Sequence, residues 1–259
     1  MNKRYPSDMT DDQWERLEPI FCIESTLGRP RDVDMREVLN AIFYISKSGC
    51  QWGMLPKEFP PKSTVFYYFD KFTKDGSFVE SNRVLREESR VKMGRDKHPT
   101  AVVIDSQSSK SINIVQGIGY DGGKSINGRK RHIGVDVVGH LMGCKIHAAN
   151  ISDRVGAKML LKILTLFFFQ LKIIFADGGY SGKPLRDWVM VCFGWILKIM
   201  IRPQKKFQIV KFRWVVERTF AWILMQRRLS KSYEVRPESE EAWVYIAAIY
   251  CTLRRVSRS

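Results

Sequence analysis

The chain has 259 residues, 44% hydrophobic and 27% charged, which is enough for a real core in one large domain or two smaller ones. Its 43 Lys and Arg against 27 Asp and Glu leave a net charge of +16, which attracts polyanions, nucleic acid first among them. Five cysteines without a CxxC, four histidines without ligand spacing, and a greasiest stretch, Leu160 to Phe175, broken by Lys162, Gln170 and Lys172, argue against a disulfide framework, a zinc site and a membrane span.

Residues 1–95 read as helical. Ser7 or Thr10 can cap a helix with Trp14, Leu17, Ile20 and Phe21 on one face. Gly28-Arg29-Pro30-Arg31 is a break. Val38, Ile42, Phe43 and Ile45 mark a second helix that stops near Gly49. After a loop punctuated by Pro56, Pro60 and Pro61, Ser63 or Thr64 can cap a third, holding Val65, Phe66, Tyr68, Phe69 and Phe72. Two helices joined by a turn fit a helix-turn-helix-like DNA-binding module, and a plain helical bundle fits too.

The pattern changes near residue 99. Ala101 to Ile104 is a short buried strand ending in Asp105. A glycine- and lysine-rich segment, Gly119 to Gly128, precedes two strands, 129–137 and 141–148, that turn at Gly139-His140. Met159 to Phe169 reads as an apolar helix, and Lys172 to Ala176 as a second buried strand ending in Asp177. A helix over 182–192, a strand from Trp195 to Ile201 stopping at Pro203, and helices over 213–229 and 240–255 complete the chain. Alternating strands and helices predict an α/β fold, a mixed sheet covered by helices on both faces with the antiparallel hairpin at its edge.

Asp105 and Asp177 share one design, an apolar run of β-formers that ends in a carboxylate before small residues. Ligands of open sheets collect beyond such strand ends. Two adjacent carboxylates raise each other's pKa unless a cation separates them, and a hard cation with oxygen ligands, Mg²⁺ by preference, removes that penalty. Glu217 lies in a basic helical stripe, with Arg213 and Arg228 on its face. Helix geometry by itself fits a solvated face with i,i+4 ion pairs better than a metal site. Asp121, Asp136, Asp153 and Asp187 are rival acids. Asp136 precedes the hairpin turn and Asp153 can cap the next helix, so both read as structural.

At these residues the sequence resembles the insertion-sequence transposases of the "insertion sequence five" group, DDE enzymes with an RNase H-like core. The resemblance runs through Tyr5 to Trp14, Trp52 to Pro56, Ser63 to Phe69, Val103 to Gln107, Gly119 to Lys124 and Gly128 to His132. It is strongest at Ala176-Asp-Gly-Gly-Tyr-Ser-Gly182 and Arg213-Trp-Val-Val-Glu-Arg-Thr-Phe-Ala-Trp222, and closes with Arg227 to Glu234. It implies that Asp105, Asp177 and Glu217 are catalytic and bind metal, two Mg²⁺ ions for which Mn²⁺ can substitute, in a two-metal transfer of DNA strands. Residues 1–95 would be the helical DNA-binding domain, with a recognition helix over 63–74, and 96–259 the catalytic domain. Lys124, Arg129, Lys130, Arg131, Arg213, Arg218, Arg227, Arg228 and Lys231 are the expected DNA contacts, with phosphates rather than bases.

The expected partners are double-stranded DNA, as terminal inverted repeats and target, and a second copy in a homodimer that pairs the two ends. No membrane is expected; the location would be the bacterial cytoplasm, on the nucleoid. Two positions depart from the family pattern: Val210 stands where a Tyr is expected, and Leu224 where a basic residue is. A nuclease without strand transfer, and a DNA-binding regulator with a dead core, are the competing expectations.

Overall fold

Local signals set the first helices in the computed structural model, which describes residues 4–22, 33–112, 115–200 and 212–257. The expected break at Gly28 to Arg31, the end of the strand at Ile201 to Pro203, and Val210 lie outside the described residues. Thr10 and Gln13 exchange hydrogen bonds in a capping box that opens α1 (Asp11–Phe21). Asp34 accepts from Arg36 and Glu37 backbone N–H groups to open α2 (Met35–Ser48), which ends at Gly49. Gly49 has φ +72°, and a Cβ there would meet Arg227 Cβ at 2.9 Å, so both conformation and space ask for glycine. Pro61 precedes α3 (Lys62–Lys74).

A fourth helix, α4 (Ser77–Lys92), has no strong apolar stripe in the sequence because the face it buries is largely polar. Asn82 and Arg86 donate to the Leu141 carbonyl, Ser89 meets His140, and Arg90 meets Asp136 at 2.6 Å. Hydrogen bonding replaces hydrophobic periodicity as the reason this helix docks.

The sheet comprises β1 (Ala101–Lys110), β2 (Gly119–Asp121), β3 (Ile126–Val135), β4 (Leu141–Ala148), β5 (Ile173–Ala176) and β6 (Ile196–Ile199). Its order is β4-β3-β1-β5-β6, with the short β2 also paired to β3. β1 is antiparallel to β3 and parallel to β5, and β5 is parallel to β6. This is the RNase H-like arrangement: an antiparallel meander whose first strand sits centrally and feeds a parallel half. β1 runs five residues past Asp105 because Ser106 to Lys110 stay paired with β3 down to Gly128.

Helix α5 (Asp153–Thr165) and α6 (Lys183–Phe193) cover one face, packing Leu160, Leu164, Leu185 and Val189 on Val102 and Ile104. α7 (Arg213–Leu224) and α8 (Pro237–Val256) cover the other, on Val103, Ile133 and Val135. The same core continues without a break into α1 to α4, with Trp243 of α8 stacked on Phe69 of α3 at 4.7 Å. The domain boundary expected at residue 95 falls between α4 and β1, and the two sides of it share one interior.

Asp136 is fully buried in the β3–β4 turn, where it binds Arg90, His140 and the backbone N–H groups of Val138, Gly139 and His140. Burial alone would raise this carboxyl, but the His140 and Arg90 partners outweigh it and hold it well below the usual range. A lowered acid contributes stability that is full above its unfolded pKa of about 4 and is lost as pH falls through its folded pKa. Asp136→Asn should therefore destabilise the protein at pH 7 and flatten its acid-unfolding limb between about pH 4 and pH 2. An unchanged acid limb in thermal melts would count against this role.

Candidate active site

Three elements place the candidate carboxylates: Asp105 lies within β1, Asp177 just past the end of β5, and Glu217 within α7. β1 and β5 run in parallel with Val103 beside Phe175, so the two chains leave the register together and set Asp105 and Asp177 side by side. Asp105 accepts the Ser106 backbone N–H at 2.7 Å. Asp177 caps a 3₁₀ turn, Gly178–Tyr180, by accepting the Gly179 N–H at 2.9 Å. Glu217 projects from α7 and is half exposed.

Arg213 ties this ensemble together. Its Nε lies 2.9 Å from Glu217 and its Nη2 3.9 Å from Asp177. Burial pushes the Asp105 carboxyl up to about 6; the Ser106 N–H opposes the rise, Asp177 adds to it, and Arg213 and Lys124 oppose it. Lys124, on the exposed β2–β3 turn, thus projects its charge onto the carboxylates. A carboxyl raised by burial and further by a neighbouring acid is a site short of positive charge, and its donors are all oxygen. That fits a hard divalent cation. Among the described residues no three acids stand close enough together to hold an ion, and Glu217 is paired with Arg213.

The basic residues divide into two groups. Lys124, Arg227 and Lys231 are exposed, and Arg213 is half buried at the carboxylates. Arg218 is clamped between Trp214 and Trp222, 4.2 and 4.4 Å from their rings, and donates to the Val138 carbonyl. The rest are turned inward, against expectation. Arg129 and Arg131 are at most 1% exposed and both bind Glu240 of α8. Lys130 bonds Asp153 at 3.1 Å and the Ile151 carbonyl. Arg228 pairs with Glu234 at 2.5 Å and donates to the Cys50 carbonyl. These four hold the fold together and have no donors to offer a phosphate.

The helix expected over 213–229 ends at Leu224, and the turn at Met225 and Gln226 is what swings Arg228 off the Glu217 face into the interior. For Arg129 and Arg131 a signal was present: on a strand they share a face with Ile133 and Val135, which are core.

A second polar cluster was not foreseen. On the α5 side of β1, Ser106 donates to Asp153 at 2.8 Å and Ser108 to Asp121 at 2.5 Å, with Lys130 between the two acids. Asp153 is thus engaged as a partner of β1, and the α5 N-cap is Ser152. His132, His147 and Tyr180 lie beneath, all buried. Cys144 is buried and Cys192 exposed, and all five thiols are free. Among the described residues no helix is long and apolar enough to cross a membrane.

Comparison with known proteins gives two family matches. Residues 96–252 match the model described as "Transposase DDE domain", and residues 9–82 the model described as "Putative transposase of IS4/5 family". No curated protein matches. Among solved structures, one described as the Mos1 mariner paired end complex with Mn aligns over 98% of this chain and 87% of that one. It is 14% identical, with a TM-score of 0.34.

Proposed function

The chain belongs to the transposase DDE domain family, and we propose from that premise that it frees the 3′ ends of an insertion sequence and joins them to target DNA. It is a DNA transposase, with Asp105, Asp177 and Glu217 as the proposed carboxylates. The observation that supports the assignment is the parallel β1–β5 register that sets Asp105 beside Asp177, with the Arg213–Glu217 pair of α7 next to Asp177.

In this reading Asp105 and Asp177 are the fixed ligands of two Mg²⁺ ions and Glu217 is the mobile one. The chemistry the ions supply when bound is activation of a water or 3′-hydroxyl and stabilisation of the leaving oxygen. The chain's own part is to supply the negative charge, to lower the solvation of the partly buried Asp105, and to hold DNA. Arg213, once it lets go of Glu217, is placed to take a phosphate oxygen at the same spot. Lys124, Arg227 and Lys231 extend a positive surface along the DNA backbone. No residue needs to form a covalent intermediate. Reading of the terminal inverted repeats falls to the α1–α4 layer, with Lys62, Ser63, Phe66, Tyr67 and Lys74 the exposed positions of α3. A homodimer would pair two ends. Leu224, exposed at the end of α7 where the family carries a basic residue, has Arg227 one turn on, also exposed.

The test is strand transfer. Purified protein, a labelled pre-cleaved terminal-repeat duplex, supercoiled plasmid and Mg²⁺ should give label joined to plasmid, and Asp177→Ala should give none. Cutting without joining would identify a nuclease, and specific binding without either a DNA-binding regulator; both results reject the reading.

A further inference from the structure

Behind Asp177, on the α5 side of the sheet, lies a buried polar chain that the carboxylates do not touch directly. Tyr180 ends the turn that Asp177 begins, and is 1% exposed. Its hydroxyl lies 2.9 Å from His132 Nε2, His132 Nδ1 lies 2.8 Å from His147 Nε2, and His147 Nδ1 lies 2.9 Å from the Ala148 carbonyl. A carbonyl oxygen can only accept, so the whole chain has one direction. His147 donates from Nδ1 and accepts at Nε2, His132 does the same, and Tyr180 donates its O–H.

Burial keeps the imidazoles neutral, as this pattern requires; it pushes His132 down to about 3, with His147 adding to the effect, and lowers His147 too. Gly156 of α5 forms the floor, where a Cβ would lie 2.4 Å from His147 and 2.5 Å from His132. Between Asp177 and Tyr180 stand two exposed glycines with no side chain to anchor the turn. Tyr180 is therefore the first side chain that can fix where Asp177 points.

We propose that Tyr180 and His132 are positioning residues, pinning the Asp177 turn to β3 and β4 so that Asp177 stays beside Asp105 to receive a divalent cation. The proposal rests on the reading of Asp177 as a cation ligand. Partners that orient metal ligands in this way change affinity by about 10–100-fold when removed.

The experiment is Mn²⁺ binding to the full chain without DNA, followed by loss of the paramagnetic signal of unbound Mn²⁺, with thermal melts alongside. Tyr180→Phe keeps the ring and removes the donor, and should weaken Mn²⁺ binding about tenfold. His132→Gln keeps an acceptor within reach of Tyr180 and should bind nearly as well as wild type, whereas His132→Leu should not. Mn²⁺ affinity within about twofold of wild type in Tyr180→Phe or His132→Leu overturns the proposal, as does a His132→Gln as defective as His132→Leu. Should Tyr180→Phe not fold, the Gln and Leu pair decides. Asp177→Asn is the control. If it binds Mn²⁺ like wild type, the ligand reading itself fails; if it loses Mn²⁺ while Tyr180→Phe does not, only the positioning role fails.

Discussion

Asp105→Asn is expected to reduce end cleavage at least about a thousandfold, roughly 4 kcal/mol of barrier, while leaving affinity for terminal-repeat DNA nearly unchanged. The amide keeps the shape and still accepts from the Ser106 N–H, but it no longer offers the charge a cation needs. The same substitution should make the metal-free protein more stable. The Asp105 carboxyl sits near 6 in the fold against about 4 in the unfolded chain, so the folded state holds the proton more tightly. Stability therefore falls as pH rises from about 4 to about 6, and the full penalty, on the order of 3 kcal/mol, applies at neutral pH. The uncharged amide carries no such penalty. Melting curves without metal should show the variant above wild type at pH 7.5 and level with it near pH 4. A variant that is both inactive and less stable at pH 7.5 would mean that the charge at Asp105 is structural.

The second large effect is on stability alone. Glu240→Ala should lower it by about 3–5 kcal/mol, because it strands two guanidinium groups in the interior. Arg131 Nε lies 2.7 Å from one Glu240 oxygen, Arg129 Nη1 3.2 Å from the other, and the Ser232 hydroxyl donates to the second as well. All three charged side chains are at most 1% exposed. The remaining guanidinium donors meet carbonyls of Gln116, Leu229, Lys231, Glu234 and Val235. The triad thus ties β3 to α8, and the carbonyl contacts tie it to the segment before α8. At about 2–4 °C per kcal/mol for a chain of this size, the melting midpoint should fall by roughly 10 °C. A drop within about 2 °C, accompanied by a weaker salt dependence of DNA binding in Arg131→Ala, would return these arginines to the DNA surface.

The readable parts of the sequence were those in which one short segment carries its own cause. Apolar runs before Asp105 and Asp177 announce two strands of the sheet, although β1 continues past Asp105 to Lys110 through its pairing with β3. Thr10 with Gln13, and Gly49 after Ile45, announce helix ends through bonds made within one turn. Glu217 was different: its stripe reads as solvated surface, and the structure indeed shows it paired with Arg213 at i,i−4. The catalytic role proposed for it rests on the resemblance.

The parts that stayed hidden depend on partners far along the chain. Arg129 and Arg131 look like a phosphate-binding run until Glu240 is placed beside them. α4 buries polar groups against the β3–β4 turn, so it lacks the stripe that would announce it. Nothing in Leu224-Met225-Gln226 resembles a stop signal, yet the helix ends there so that Arg228 can reach Glu234 and Leu229 can be buried. The His132–Tyr180 contact joins residues 48 apart, and neither one suggests the other.

Helix α8 packs against α2, α3, α4, α7 and β4, and most of its surface is buried. The ribosome makes it last among these neighbours, roughly 145 residues after α4 is complete, between Lys92 and Pro237. At about 5–20 residues per second, that is a wait of roughly 7–30 s. Throughout it the side of the nascent helical layer that α8 covers, with Phe69 in it, is without that partner and must be shielded by chaperones or by its own loose collapse. The yield of folded protein in a cell is thereby tied to translation speed across the sheet, and synonymous codons that slow the ribosome there should cost soluble protein without changing a single residue.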